Sequence, residues 1–242
     1  MPTVLLVRHG LTALTGPVLS GRRPGIPLDE RGRAQAAALA DRLRPVPLAA
    51  IVSSPLDRCL ETAQAIAAGR PLGGADAEVH VDERLLEVDY GAWTGGEIKV
   101  LARDPLWRVV QASPSAVTFP DGESLRSMSA RGVEAVREWN ARLGPDATWL
   151  ACTHADLIRA ILADALGLHL DGYGRLHVDP CSVSVVRYGT AGATVARMND
   201  TGGSASDLVA GHGRRPGRPR RAKGVQSRLE AADDTARPME EQ

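Results

Sequence analysis

The chain's 242 residues are 43% hydrophobic but only 3% aromatic, and 29 basic residues balance 29 acidic ones. A core of that composition must be built from Leu, Val, Ile and Ala, and the absence of any apolar run of about 18 residues excludes a membrane-spanning helix. Cys59, Cys152 and Cys181 are far apart and show no CxxC or Cys/His zinc spacing, so they read as small buried hydrophobes in a reducing compartment. Met1-Pro2-Thr3 leads straight into an apolar run without a signal-peptide pattern, and a cytoplasmic location is expected.

Val4-Leu5-Leu6-Val7 stops at Arg8-His9-Gly10, as a buried strand of a parallel sheet does. Residues 11–28 read as loop, broken by Gly16-Pro17, Gly21, Pro24-Gly25 and Pro27. Asp29 is placed to cap a helix to about Leu43 that turns Ala36, Leu39, Ala40 and Leu43 to one face, and Pro45 and Pro47 end it. Ala50-Ile51-Val52 is a short strand. Ser54 as N-cap and Pro55 at the first helical position open a second helix, with Leu56, Leu60, Ala63, Ile66 and Ala67 inward.

Residues 79–81 form a third strand. Residues 92–122, with Trp93, Pro105, Trp107, Pro114 and Pro120, make an excursion of loops and short helices over the sheet edge, both tryptophans reading as packing residues. A helix follows over 123–143, then a strand over 148–152 and a helix over 155–166 that Gly167 stops. Residues 175–178, 182–188 and 193–197 are expected strands, the last two a hairpin around 189–192. Alternating strands and helices make this an α/β sandwich. A domain of 1–201 is expected. Residues 202–242 are rich in Gly, Pro and Arg and then acidic, cannot bury enough surface to offset ordering entropy, and read as a disordered tail.

In a parallel sheet, ligands collect at the carboxyl ends of the strands. Arg8 and His9 follow the first strand, and Arg58 lies in the first turn after the second. Glu87 follows the third, with Glu83 and Asp89 as local rivals, and His154 follows the run Leu150-Ala151-Cys152-Thr153. Cations, imidazoles and a carboxyl at one edge are the parts of a phosphoryl-transfer site. His80, His169, His177 and His212 fit no such place.

These pieces together resemble the histidine phosphatase superfamily in its phosphoglycerate-mutase-like branch. The matching segments are Leu6-Val7-Arg8-His9-Gly10, Ser53-Ser54-Pro55 through Arg58 and Thr62-Ala63, Leu85 to Gly95 with Trp93, Pro120-Asp121-Gly122-Glu123-Ser124, and Thr153-His154. They run in the family's order over almost all of 1–200, and Val178-Asp179-Pro180 through Arg187 is similar to small actinobacterial-type members. The resemblance implies a three-layer α/β/α sandwich with a mostly parallel central sheet. It implies that His9 attacks the phosphoryl group to form a phosphohistidine, that Arg8, Arg58 and His154 hold the phosphoryl oxygens, and that Glu87 protonates the leaving oxygen and then activates water. Neither metal nor cofactor is implied, since the arginines and histidine supply the electrostatics. The partner is a small phosphorylated metabolite.

Three positions depart from the family pattern. Leu11 stands where Glu is common and Thr15 where Asn is common; Thr15 keeps a hydroxyl for the phosphate, and Ser20-Gly21 is the next candidate contact. Ala155 stands where Gly is usual, and would cost about 1 kcal/mol or more if that position needs positive φ. The excursion is short and carries only Lys99, Arg103 and Arg108 as cations, so hydrolysis is favoured over mutase chemistry. Its Leu106, Trp107, Val109 and Val110 suit a substrate with some apolar body. A phosphomutase is one alternative; a weakly active regulatory relative is the other. In the latter the 214–223 tail, whose Arg214-Arg215-Pro216-Gly217-Arg218-Pro219 resembles an AT-hook core, would bind nucleic acid with strong salt dependence.

Overall fold

The computed structural model describes residues 1–68, 70 and 78–202, and Met1–Gly202 forms one compact unit. Its strands are β1 (Thr3–Arg8), β2 (Ile51–Ser53), β3 (Val79–Val81), β4 (Thr148–Thr153), β5 (Val183–Gly189) and β6 (Gly192–Asp200). Its α-helices are α1 (Glu30–Leu43), α2 (Asp57–Ala68), α3 (Ile98–Leu101), α4 (Pro105–Ala112), α5 (Leu125–Leu143) and α6 (Ala155–Ala165). The strands form one sheet in the order β3-β2-β4-β1-β5-β6. The first four are mutually parallel, and β5 and β6 complete the sheet antiparallel.

Strand β1 shows why its apolar run is continuous. Val4 and Leu6 face one core with Trp149, Ala151 and the inner faces of α5 and α6, while Leu5 and Val7 face the other with α1 and α2. A strand buried on both faces has no polar side to alternate with. The result is the three-layer α/β/α sandwich. Among the described residues no helix is long and apolar enough to cross a membrane.

The ladder sets the level of the strand ends. Arg8 lies opposite Thr153, and Ser53 opposite Cys152, so the residues that follow β1, β2 and β4 emerge side by side. Helix α1 then clamps the first of these turns. Asp29 caps it by accepting from the Gly32 N–H at 2.7 Å, while the Asp29 N–H donates to the Leu11 carbonyl at 2.9 Å. A Cβ at Gly32 would lie 2.0 Å from the Leu11 carbonyl oxygen, so only glycine lets the helix approach this closely.

Several local expectations are corrected. Helix α2 begins at Asp57 rather than Pro55, because the Ser54 hydroxyl is bonded to His154 Nε2 at 2.9 Å instead of capping the helix. Leu60 is only half-buried, and Cys59, Ala63 and Ile66 carry the inward face. Residues 175–178 are not a strand: a 3-10 helix covers Leu170–Arg175, and the Val178 carbonyl accepts from Arg8 instead of a ladder neighbour. Ala155 is the first residue of α6 and is not among the positive-φ residues, so its methyl group causes no backbone strain. Gly167, at φ +64°, does stop α6. The expected tail with its nucleic-acid partner, and His212, lie outside the described residues.

Candidate active site

The strand ends place His9, Arg58 and His154 in one buried cluster, exposed by 6%, 2% and 0% respectively. His9 Nδ1 is 2.7 Å from the Gly10 carbonyl oxygen. A carbonyl can only accept, so the proton sits on Nδ1 and the Nε2 lone pair is free to face Arg58, whose Nε approaches to 3.3 Å. Burial, then Arg58, then Arg8 hold the His9 pKa well below its ordinary value. This histidine is therefore neutral, with its unprotonated nitrogen facing the guanidinium of Arg58.

Arg58 is held by its own Nη2, which donates to the Gly21 carbonyl at 2.8 Å and approaches His154 Nδ1 at 3.3 Å. Guanidinium has no lone pair to offer, so Nδ1 accepts and His154 Nε2–H donates to the Ser54 hydroxyl. Burial, then Arg58 and His9, keep His154 neutral by lowering its pKa well below the usual value. Arg8 is fixed by donating from Nη1 to the Val178 carbonyl at 2.7 Å. Among the described residues, buried Arg8 Nε and Arg58 Nη1 have no hydrogen-bond partner. Buried donors are rarely left unpaired, and two on guanidiniums beside the same imidazole mark a place for an anion.

Glu87 completes the cluster, with Oε2 3.9 Å from His154 Nδ1. Its rivals are placed elsewhere. Glu83 is exposed, and the Asp89 side chain is 40% exposed and bonds the Gly91 N–H, whereas the Glu87 side chain is 13% exposed. Burial, reinforced by Asp156, pushes the Glu87 carboxyl up to about 7, so about half of it still carries its proton at neutrality.

The loop contacts expected of Thr15, Ser20 and Gly21 take another form. Thr15 Oγ1 accepts from the Thr12 N–H and bonds the Thr12 hydroxyl, both at 3.0 Å, so it closes its own turn. Gly21 acts through its carbonyl on Arg58, and Ser20 is half-buried on the same loop, its carbonyl accepting from the Arg23 N–H. Leu11 contributes backbone only, its N–H donating to Gln35 Oε1 and its carbonyl accepting from Asp29.

Residues outside the expected set hold Glu87 in place. Arg22 Nε and Arg131 Nη2 donate to the Glu87 carbonyl at 2.9 and 3.0 Å, and both arginines also bond Glu123. The signal for Arg131 lay in α5, where a cation interrupts the buried run from Leu125 and Met128 to Ala135. Arg22 left none, because it sits in an irregular loop. The three cysteines are free and buried. His80 rests against Trp139, while His169 and His177 pair with Asp171 and Asp179.

The fold and the cluster define an α/β protein with a buried histidine–arginine cluster, a candidate anion site, at the carboxyl edge of its sheet. The histidine phosphatase superfamily (branch 1) matches residues 4–201, and the chain belongs to that family. It is 35% identical over 205 residues to the bifunctional protein Rv2228c of Mycobacterium tuberculosis, covering 82% of this chain and 54% of that one. The chain thus spans about half the length of that curated relative. It is 33% identical over 211 residues to phosphoserine phosphatase 1 of Hydrogenobacter thermophilus, covering 83% and 93%. Among solved structures, YhfR of Bacillus stearothermophilus superposes with a TM-score of 0.75 at 29% identity, covering 83% of this chain and 98% of that one.

Proposed function

We propose that this protein hydrolyses small phosphate monoesters through a phosphohistidine on His9. The observation that carries the reading is the neutral His9 with Nε2 unprotonated, beside the unpartnered donors of Arg8 and Arg58. Phosphate oxygens satisfy those donors. His9 Nε2 attacks phosphorus as the ester P–O bond breaks, and the Glu87 proton passes to the leaving alcohol oxygen. The bound dianion favours the imidazolium form of His154, which turns Nδ1 into a further donor as charge moves. Glu87, now a carboxylate, takes a proton from water as the water oxygen attacks the phosphohistidine. Inorganic phosphate leaves, and both His9 and Glu87 return to their starting protonation.

The similarity to phosphoserine phosphatase 1 supports phosphate release as the outcome. So does the excursion: Lys99, Arg103 and Arg108 are exposed, and Lys99 is paired with Glu97, so none forms a basic clamp for a second phosphorylated position. The test is turnover of p-nitrophenyl phosphate in chelator, with rapid-quench mass spectrometry for a phosphate adduct on His9. Metal-independent turnover that His9→Ala abolishes supports the reading. Equal rates in both proteins overturn it, and isomer exchange without free phosphate would replace it with a mutase.

A further inference from the structure

The chain has four Trp, three Tyr and one Phe, and five of these aromatics line a single cavity of about 510 Å³. They are Tyr90, Trp93, Trp107, Phe119 and Tyr173. Trp93 and Trp107 are stacked, with ring centroids 6.0 Å apart and planes 27° apart, and Phe119 meets Trp93 edge-on at 5.4 Å. Trp93 and Phe119 are buried in this packing, whereas Trp107 on α4 is only partly covered. The cavity adjoins the catalytic cluster: the Tyr90 hydroxyl donates to Asp156 Oδ2 at 2.6 Å, and Asp156 lies in the first turn of α6 just after His154.

Charge in the cavity is balanced. Asp156 and Asp171 oppose Arg159 and Arg175, and Arg159 Nη1 already donates to Asp156 Oδ1 at 3.0 Å. A second anionic group on a substrate would find that cation neutralised. Arg159 Nε is different: it is buried and has no hydrogen-bond partner among the described residues. An aromatic wall beside one unspent N–H suits a flat body with an acceptor on its edge.

Resting on the phosphatase reading, we infer that the alcohol of the preferred ester carries a planar, uncharged ring system with a hydrogen-bond acceptor at its edge. The ring lies along the Trp107–Trp93 wall, and its acceptor takes the Arg159 Nε–H. Short alcohols carrying charged groups, such as glycerate and serine, leave the wall uncovered and the donor unspent. A cavity of about 510 Å³ accommodates a fused two-ring body.

The test is calorimetric binding to the full chain carrying His9→Ala, which reports the pocket independently of turnover. The ligands are 4-methylumbelliferyl phosphate, whose ring carbonyl is an acceptor, 1-naphthyl phosphate, which has none, phosphoserine and glycerol 3-phosphate. The expected order places 4-methylumbelliferyl phosphate at least tenfold tighter than phosphoserine and glycerol 3-phosphate. Adding Trp107→Ala should reduce that preference below threefold, and Trp107→Phe should restore most of it. Arg159→Lys, which lacks Nε–H, should erase the difference between the umbelliferyl and naphthyl esters. Equal affinity for all four ligands, or a ring preference that Trp107→Ala leaves intact, overturns the inference. If the ring preference holds while the native protein releases no phosphate, the phosphatase reading fails and the ring-binding pocket stands.

Discussion

The proposed phosphate end of the site and its proposed leaving-group end are built in opposite ways. His9 and His154 follow strand ends whose level the ladder sets, Arg58 stands in the first turn of α2, and each is almost wholly buried. The leaving-group wall rests on α4, none of whose residues is fully buried, and on the loops that join it to the sheet. On the proposed reading, reaction chemistry is anchored on the sheet ladder and the first turn of α2. Selection of the leaving group, on the same reading, is anchored where side chains can change without disturbing the sheet.

The largest effect should come from the anchored end. His9→Ala removes the nucleophile and should lower kcat about 10⁴-fold or more, and Arg58→Ala should lower it by about 10²–10³, measured by phosphate release. A His9→Ala protein retaining a tenth of the native rate would break the contrast between the two ends. Next is Glu87→Gln, expected to cost about 10²–10⁴ with alkyl phosphates. The loss should be much smaller with p-nitrophenyl phosphate, whose leaving group needs no proton. The pH profile carries the same signature. The donor is the protonated carboxyl, pushed up to about 7, so its active fraction falls as pH rises through that value. The rate with alkyl phosphates should decline there with unit slope, while p-nitrophenyl phosphate shows no such limb in its phosphorylation step.

Stability should divide along the same line. Gly32→Ala forces a methyl group into the Leu11 carbonyl and should cost about 1–3 kcal/mol, seen as a lowered Tm. Val100→Ser on α3, where the side chain is exposed, should stay within about 0.5 kcal/mol by the same melt. The smallest effect is Lys99→Ala: its exposed pair with Glu97 should leave kcat/KM unchanged within about twofold. A tenfold fall would place a cation of the excursion in substrate binding and sharpen the case for a second anionic subsite.

Much of the framework was legible because its causes are local. The apolar runs of β1 and β4 mark strands buried on both faces, Asp29 caps α1 through its own neighbours, and Gly167 supplies the positive φ that ends α6. Arg8 closes β1, His9 and His154 follow β1 and β4 directly, and Arg58 comes in the first turn of the helix after β2, so most of the candidate site was readable from the strand ends and the helix that follows one of them. Residues 175–178 misled because Leu176 and Val178 alternate like a half-buried strand, yet their burial comes from packing in an extended loop.

The start of α2 was not legible. Ser54 looks like a cap, but its hydroxyl is taken by a histidine 100 positions away in sequence. The choice of Glu87 over Glu83 and Asp89 depends on which carboxyl ends up buried beside Asp156. The roles of Arg22 and Arg131 depend on the carbonyls of Arg84, Leu86 and Glu87 and the carboxylate of Glu123, which two separate segments bring within reach. The sequence alone determined the family resemblance, most of the elements along the chain and the identity of the candidate groups at their ends, because hydrophobic period, caps and breakers act over a few residues. Only the tertiary structure decided which groups are buried, which nitrogen of His9 and of His154 carries the proton, and that five aromatics line one cavity. Burial and electrostatic coupling are properties of neighbours in space, and those neighbours lie far apart along the chain.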